Sequence, residues 1–196
     1  TVNDEPATAR TVATDAAGKP DRLAAGRLHF YLISRGEKIG VRVKDPEAPT
    51  RTGFAGLASY PVDPAWRVEA RFEPYPEPRQ VAIPTVLGTE DLMLATGLLH
   101  FTAAGRELTL EPYLESPDDD QFFLIFRDAT SGVDTYGAGR FLSAKKITGG
   151  TTILDFNFAS SPPCAFTPYA TCPLPPPGNW LPVAITAGEQ YHGPAH

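Results

Sequence analysis

Six polar residues placed beside glycines, prolines and strand ends carry most of the chemistry this sequence offers: Asp128, Arg140, Asp155, Asn157, Asn179 and Glu189. Gathered at one end of a sheet, they would make a site for a small polar or anionic ligand, with the Arg140 guanidinium as a planar fork and the two amides as orienting partners. A second arrangement is a carboxylate pair, Asp155 with Glu189, in which unequal surroundings divide acid from base and permit hydrolysis or group transfer. A third needs no ligand. The same side chains can form a buried polar network that pins a segment with few backbone hydrogen bonds of its own.

The two cysteines, Cys164 and Cys172, admit three readings. They can be a structural pair, either a disulfide closing a small loop in an oxidising compartment or buried thiols in the cytosol. A nucleophile is the second reading, with Cys164 preferred because it follows the rigid Pro162-Pro163, although no Cys-His signature accompanies it. A metal site is the third and lacks ligands: His192 and His196 lie in the tail and His29 and His100 on strands, so no metal is assigned. Each strand histidine falls on the face opposite the large apolar residues, which is a solvent face unless a barrel interior lies there.

Other polar clusters carry less. Asp118-Asp119-Asp120 does not have the alternating spacing of a calcium loop and reads as a solvated turn. The glycines over 132–139 match neither the phosphate-binding loop nor the dinucleotide fingerprint, so neither ATP nor NAD is implied and no cofactor is assigned.

These residues must be held by elements that composition constrains. Twenty-one prolines and 17 glycines among 196 residues interrupt nearly every window long enough for a helix, whereas 42% hydrophobic content suffices for a core. Short strands and turns are expected. Net charge is −6, with the basic residues scattered, which argues against a nucleic-acid partner. No apolar run reaches the ~20 residues of a membrane-spanning helix. A soluble protein is expected, with the cytoplasm the favoured compartment; oligomeric state is not legible.

Residues 1–25 show no sustained periodicity and read as a loosely held arm, with residues 26–196 as a single β domain. Within it, 27–34 and 38–44 alternate apolar and polar residues around Arg35-Gly36 and predict a hairpin. The clearest strand is 66–72, where Trp66, Val68, Ala70 and Phe72 alternate with charged residues. Shorter candidates follow at 81–87 and 91–95. A second hairpin is predicted from 98–102 and 107–113 around Ala104-Gly105, then strands at 121–127, 139–144 and 151–156. Consecutive antiparallel strands in a chain of this length must close or stack to bury their apolar face, so a barrel or a two-layer sandwich is predicted. Beyond Phe156, eight prolines between Pro162 and Pro182 exclude helix interior and central strand. Interleaved aromatics need something to pack against, which makes this segment an ordered coil rather than a tail.

A long string of residues adds a resemblance: Phe126-Arg-Asp-Ala-Thr-Ser-Gly132, Thr135-Tyr-Gly-Ala-Gly-Arg-Phe-Leu142, Leu154-Asp-Phe-Asn157, Pro162-Pro-Cys-Ala-Phe166, Cys172-Pro-Leu-Pro-Pro176, Asn179 and Ala187-Gly-Glu189. It resembles the bacterial and archaeal family of domain of unknown function 1684, as do Phe54-Ala-Gly-Leu57, Tyr60-Pro61 and Asp63-Pro64 upstream. Typical members resemble one another in an Asn-Arg-Ala-Tyr-Asn-Pro-Pro-Cys string where this chain has Asn157-Phe-Ala-Ser-Ser-Pro-Pro-Cys164, so a basic and an aromatic group are absent here. The resemblance marks residues 128–189 as the site segment and carries no activity.

The reading that results is a small-ligand binding β domain, its polar pocket capped by the C-terminal coil and lined by Asp128, Arg140, Asp155, Asn157, Asn179 and Glu189. A hydrolase or transferase using Cys164 or the Asp155–Glu189 pair is the alternative, and a structural or interaction protein the third.

Overall fold

Residues 1–35 and 37–193 are described by the computed structural model, in which the chain forms two units, Thr1–Ala55 and Gly56–His196. Gly36 of the first expected turn and His196 of the tail lie outside the described residues.

The first unit is an antiparallel three-stranded sheet in the order β1 (Leu23–Ala25), β2 (Leu28–Arg35), β3 (Lys38–Lys44). The β2–β3 hairpin has the register expected from alternation, running from Arg35 opposite Lys38 to His29 opposite Lys44. The stretch 1–25, expected as an arm, contains β1 and is tied down by polar side chains. Asp21 accepts from Ala13 N and Asn3 Nδ2 at 2.9 and 2.6 Å, and Asp15 accepts from Ser34 N at 2.8 Å. These carboxylates supply the hydrogen bonds that a chain without periodicity cannot make to itself. A single turn of helix, α1 (Pro49–Thr52), follows.

The second unit is built on a seven-stranded antiparallel sheet that nearly closes as a barrel. Its strands are β4 (Arg67–Pro84), β5 (Glu90–Ala103), β6 (Arg106–Leu110), β7 (Tyr113–Leu114), β8 (Gln121–Phe126), β9 (Arg140–Lys145) and β10 (Thr151–Asp155). They are ordered β10-β4-β5-β7-β8-β9, with β6 paired to β5. The terminal strands β9 and β10 meet at a seam, where Thr152 Oγ1 donates to Lys145 O at 2.9 Å.

Two pairs of predicted strands are each one strand. The candidates at 66–72 and 81–87 merge into β4, whose register against β5 shifts between Pro74 and Arg79. Prolines 74, 76 and 78 cannot donate to the ladder, yet their fixed φ suits extended backbone, so the strand bulges instead of ending. The candidates at 91–95 and 98–102 merge through Gly97. There a Cβ would collide with Glu73 O and the Phe72 ring, so this glycine serves a close approach between strands. The opposite occurs at 107–113, which divides into β6 and β7. At the predicted turn, Ala104 and Gly105 have φ of 49° and 70°, the pair of positive values that a two-residue hairpin turn requires.

Alternation along the strands sends Phe72, Leu99, Phe101, Leu110, Leu124, Phe126 and Leu154 into the barrel core. A second, smaller cluster gathers Ile83, Met93, Ala95, Tyr113 and Ile125. The proline-rich coil is ordered, and its last part runs beside the end of β8: Leu181 N donates to Arg127 O at 2.7 Å and Val183 O accepts from Ala129 N at 2.9 Å, while Leu181, Val183, Ile185 and Ala187 alternate into the same core as the barrel residues. No helix among the described residues is long and apolar enough to cross a membrane.

Candidate functional site

The coil is fastened to the barrel by side chains from strand ends. Asn179 sits in the short turn Pro177–Asn179 and is 1% exposed. Its Oδ1 accepts from Glu111 N at 2.9 Å, and its Nδ2 donates to Glu111 O and Ile125 O, both at 3.0 Å. The amide thus imitates a strand neighbour at a place where prolines leave no donor. Beside it, the Arg127 guanidinium lies 4.9 Å from the Trp180 ring centre.

Arg140, the first residue of β9, is fully buried. Nη2 meets Asp128 Oδ2 at 2.8 Å and donates to Ile185 O at 2.9 Å, while Nη1 donates to the carbonyls of Ala187 and, at 3.4 Å, Glu189. Carbonyls at positions i, i+2 and i+4 of an extended chain point the same way, so one planar fork spans a coil that has no strand on that side. The guanidinium also lies over Phe126, 5.4 Å from the ring centre. The other oxygen of Asp128 accepts from Thr130 N and Thr130 Oγ1 at 2.7 and 2.5 Å.

The remaining expected residues fall into separate arrangements. Glu189 Oε2 accepts from Ser161 N at 2.7 Å. Asp155 caps the turn Phe156–Phe158, accepting from Asn157 N and Nδ2 at 3.2 and 2.8 Å. Asn157 in turn exchanges bonds with the Asp63 backbone at 2.9 and 3.0 Å. Asp128, Arg140 and the Glu189 backbone are therefore brought together, whereas Asn179 and the Asp155–Asn157 pair belong to their own networks. Among the described residues no hydrogen bond joins the Asp155 and Glu189 carboxylates.

Cys164 and Cys172 are both free thiols, buried with Tyr136 and Ala165. Cys172 Sγ accepts from Cys164 N at 3.2 Å. The Cys172 thiol also hydrogen-bonds the Cys164 sulfur, which holds the Cys164 pKa below that of an ordinary thiol; the same bond, with burial, pushes Cys172 up. Tyr136 donates to Cys164 O at 3.3 Å and meets the Tyr191 ring edge-on, with centres 5.0 Å apart. Burial, then the neighbouring Cys164, raises the Tyr136 phenol. Of the strand histidines, His29 is exposed, and His100 Nε2 lies 3.2 Å from Glu73 Oε2. Among the described residues no three His, Cys, Asp or Glu side chains are grouped to hold a metal.

Two clefts lie near these networks. The first, of about 370 Å³, is lined by Gly132, Thr135, Tyr136, Gly137, Tyr191 and His192 among others. Its loop is fixed from beneath. Thr130 O accepts from the backbone nitrogens of Val133, Asp134 and Thr135, and Thr130 Oγ1 lies 2.9 Å from Thr135 Oγ1. Thr130 is itself held by Asp128, and Asp128 by Arg140, so the buried ion pair underlies the cleft without lining it. The second cleft, also about 370 Å³, opens at the β9–β10 seam beside Ser143, Lys145, Ile153, Asp155, Phe158 and Ser160. Tyr191 and His192 were not singled out as site residues by the sequence, since nothing local distinguishes an aromatic-histidine pair near a chain end.

Residues 52–190 match the model of a protein family described as protein of unknown function (DUF1684). The chain belongs to that family. The match spans the barrel and the coil, and it stops one residue short of Tyr191. Two of the three positions that depart from the family string, Phe158 and Ser160, line the seam cleft. A similar solved structure is the solution NMR structure of the uncharacterized protein from gene locus rrnAC0354 of Haloarcula marismortui, 35% identical, with a TM-score of 0.62 over 74% of this chain and 82% of that one. No curated protein matches the chain.

Proposed function

We propose that the barrel unit is a small-ligand binding domain whose site is the cleft between residues 132–138 and Tyr191-His192. One observation carries this reading: the cleft loop rests on a closed chain of buried polar contacts, Arg140 to Asp128 to Thr130 to Thr135, while its outer side leaves a cavity of about 370 Å³. A preformed hollow on a rigid base is the usual form of a binding site. Backbone from a glycine-rich loop and the edges of two tyrosines suit a small polar ligand with one flat apolar face. In this reading Asp128 and Arg140 position the site, Asn179 and Glu189 fasten the coil, and none of the four touches the ligand.

The enzyme alternative has less support. Cys164 is buried with its sulfur engaged by Cys172, and Asp155 and Glu189 each accept from different backbone nitrogens.

Backbone amide NMR of the protein titrated with a panel of aromatic carboxylates, nucleosides and sugars tests the reading. Binding should shift the amides of residues 132–138 and 191–193, and Val133→Trp, which fills the cleft from an exposed position, should abolish the shifts with the fold intact. Shifts confined to the seam around Lys145 and Asp155, or none from any class in the panel, would overturn it.

A further inference from the structure

We infer that Cys164 and Cys172 are a reversible dithiol–disulfide pair oxidised by small peroxides. The inference is independent of any ligand in the adjoining cleft.

Geometry is the first argument. Cys172 Sγ sits 3.2 Å from the backbone nitrogen of Cys164, across a loop of seven intervening residues, and the two residues are 4% and 5% exposed. A sulfur that close to its partner's main chain lies on the side from which a disulfide forms, where the Cα atoms must come within roughly 4.4–6.8 Å. Cys172 is fixed at its main chain, its carbonyl accepting from Val86 N at 3.0 Å, while the chain leaving Cys164 carries the turn Pro163–Ala165 and no ladder, so the approach of the sulfurs falls to the Cys164 side.

Surroundings select the oxidant. The thiols share a cluster with Tyr136 and Ala165, against which Ala138, Phe141, Ala170 and Tyr191 pack. A peptide disulfide cannot enter such a cluster, but a molecule the size of hydrogen peroxide can. The cleft supplies an approach, because Tyr136, Ala138 and Tyr191 belong to both its lining and the thiol cluster.

The polarity of the pair assigns the roles. Hydrogen bonding from Cys172 makes Cys164 the better thiolate. Its sulfur attacks one peroxide oxygen; the S–O bond forms as the O–O bond breaks, and the leaving hydroxide takes the proton that Cys164 lost, giving water and a sulfenic acid. Cys172 sulfur then attacks Cys164 sulfur. The S–S bond forms as the S–O bond breaks, and the departing hydroxyl leaves as water with the Cys172 proton. Two thiols are oxidised to a disulfide, and one peroxide is reduced to two waters.

Intact-mass spectrometry after treatment with one equivalent of hydrogen peroxide, followed by denaturation and alkylation, tests this in the full chain. The expected product has lost two hydrogens and takes up no alkylating agent, and dithiothreitol restores both thiols. In Cys172→Ser the sulfenic acid should persist on Cys164 and be trapped by dimedone, whereas Cys164→Ser should give no adduct at Cys172. Two alkylatable thiols remaining in the peroxide-treated wild type would overturn the inference, as would overoxidised or intermolecular products in place of the internal disulfide. The wild-type measurement decides even if a serine variant fails to fold.

Discussion

Arg140 Nη2 lies 2.8 Å from Asp128 Oδ2, and both side chains are closed to solvent. Breaking such a pair from one side strands the other charge in a low-dielectric interior, which typically costs about 3–5 kcal/mol. Asp128→Ala should therefore lower unfolding stability by about that amount, and Arg140→Met combined with Asp128→Leu should cost less than the two single changes added. Urea unfolding of the wild type, Asp128→Ala, the two single changes and the double variant measures both. A loss under about 1 kcal/mol for Asp128→Ala would mean the guanidinium finds water or another anion.

Asn179 separates two kinds of loss. Asn179→Ala leaves Glu111 N and Ile125 O without their partners, for which about 2–3 kcal/mol is expected. Asn179→Asp puts an oxygen where Nδ2 donates to two carbonyls and also buries a charge. The aspartate should be the more damaging at neutral pH and should recover in part when protonated in acid. Thermal unfolding of both variants across acidic and neutral buffers reads this directly, and equal losses at both pH values would contradict the orientation of the amide.

Gly139 and Gly105 share a positive φ, 103° and 70°, but not their surroundings. At Gly139 an added Cβ runs into Phe126 O and the Pro175 ring, whereas at Gly105 it meets open space. Gly105→Ala should cost the backbone strain alone, about 1–2 kcal/mol. Gly139→Ala adds a collision with main chain and should cost several times more. Denaturant midpoints compare them, and equal shifts would mean that the coil yields at Pro175.

Alkaline pH probes the buried phenols. Burial, then the Glu111 carboxylate, holds Tyr113 well above the ordinary tyrosine value of 10.0, and Tyr75 is raised by the same two causes in the same order. A pKa raised by folding gives stability that is fully present below the unfolded value and lost as pH climbs from there toward the folded one. Unfolding stability should fall with increasing slope above pH 10, and Tyr113→Phe should make that slope shallower while removing the hydrogen bond to Glu111 Oε2. Denaturant titrations on either side of pH 10 measure it; an unchanged slope in Tyr113→Phe would contradict the assignment.

Local pattern carried much of the fold. Alternation in 27–34, 38–44 and 66–72 placed β2, β3 and the first part of β4, and the apolar, aromatic run at 121–127 placed β8, because both signals are properties of consecutive residues. The prolines at 74, 76 and 78 and Gly97 fall in the gaps between strands expected as separate. Whether such a residue stops a strand or bulges it depends on what the neighbouring strand offers, which sequence adjacency does not record. The period-two run of Leu181, Val183, Ile185 and Ala187 was overlooked among prolines, although its alternation was present in the chain.

The amino-acid sequence by itself determined a mainly β antiparallel fold, an ordered proline-rich coil and membership of the family, since each follows from period, proline content or a contiguous string; that the sheet closes as a barrel and does not stack as a sandwich was decided by the tertiary structure. Tertiary structure decided what the polar residues of 128–189 touch. Asp128 and Arg140 are 12 residues apart, Arg140 and Ile185 are 45, and Asn179 and Glu111 are 68. Only closure of the barrel brings such pairs within hydrogen-bond distance. It turned Arg140 inward to serve coil carbonyls, left Asp155 at the seam, and set Tyr136 and Tyr191 together at a cleft, because partners so distant in the chain are chosen by strand order and not by local preference.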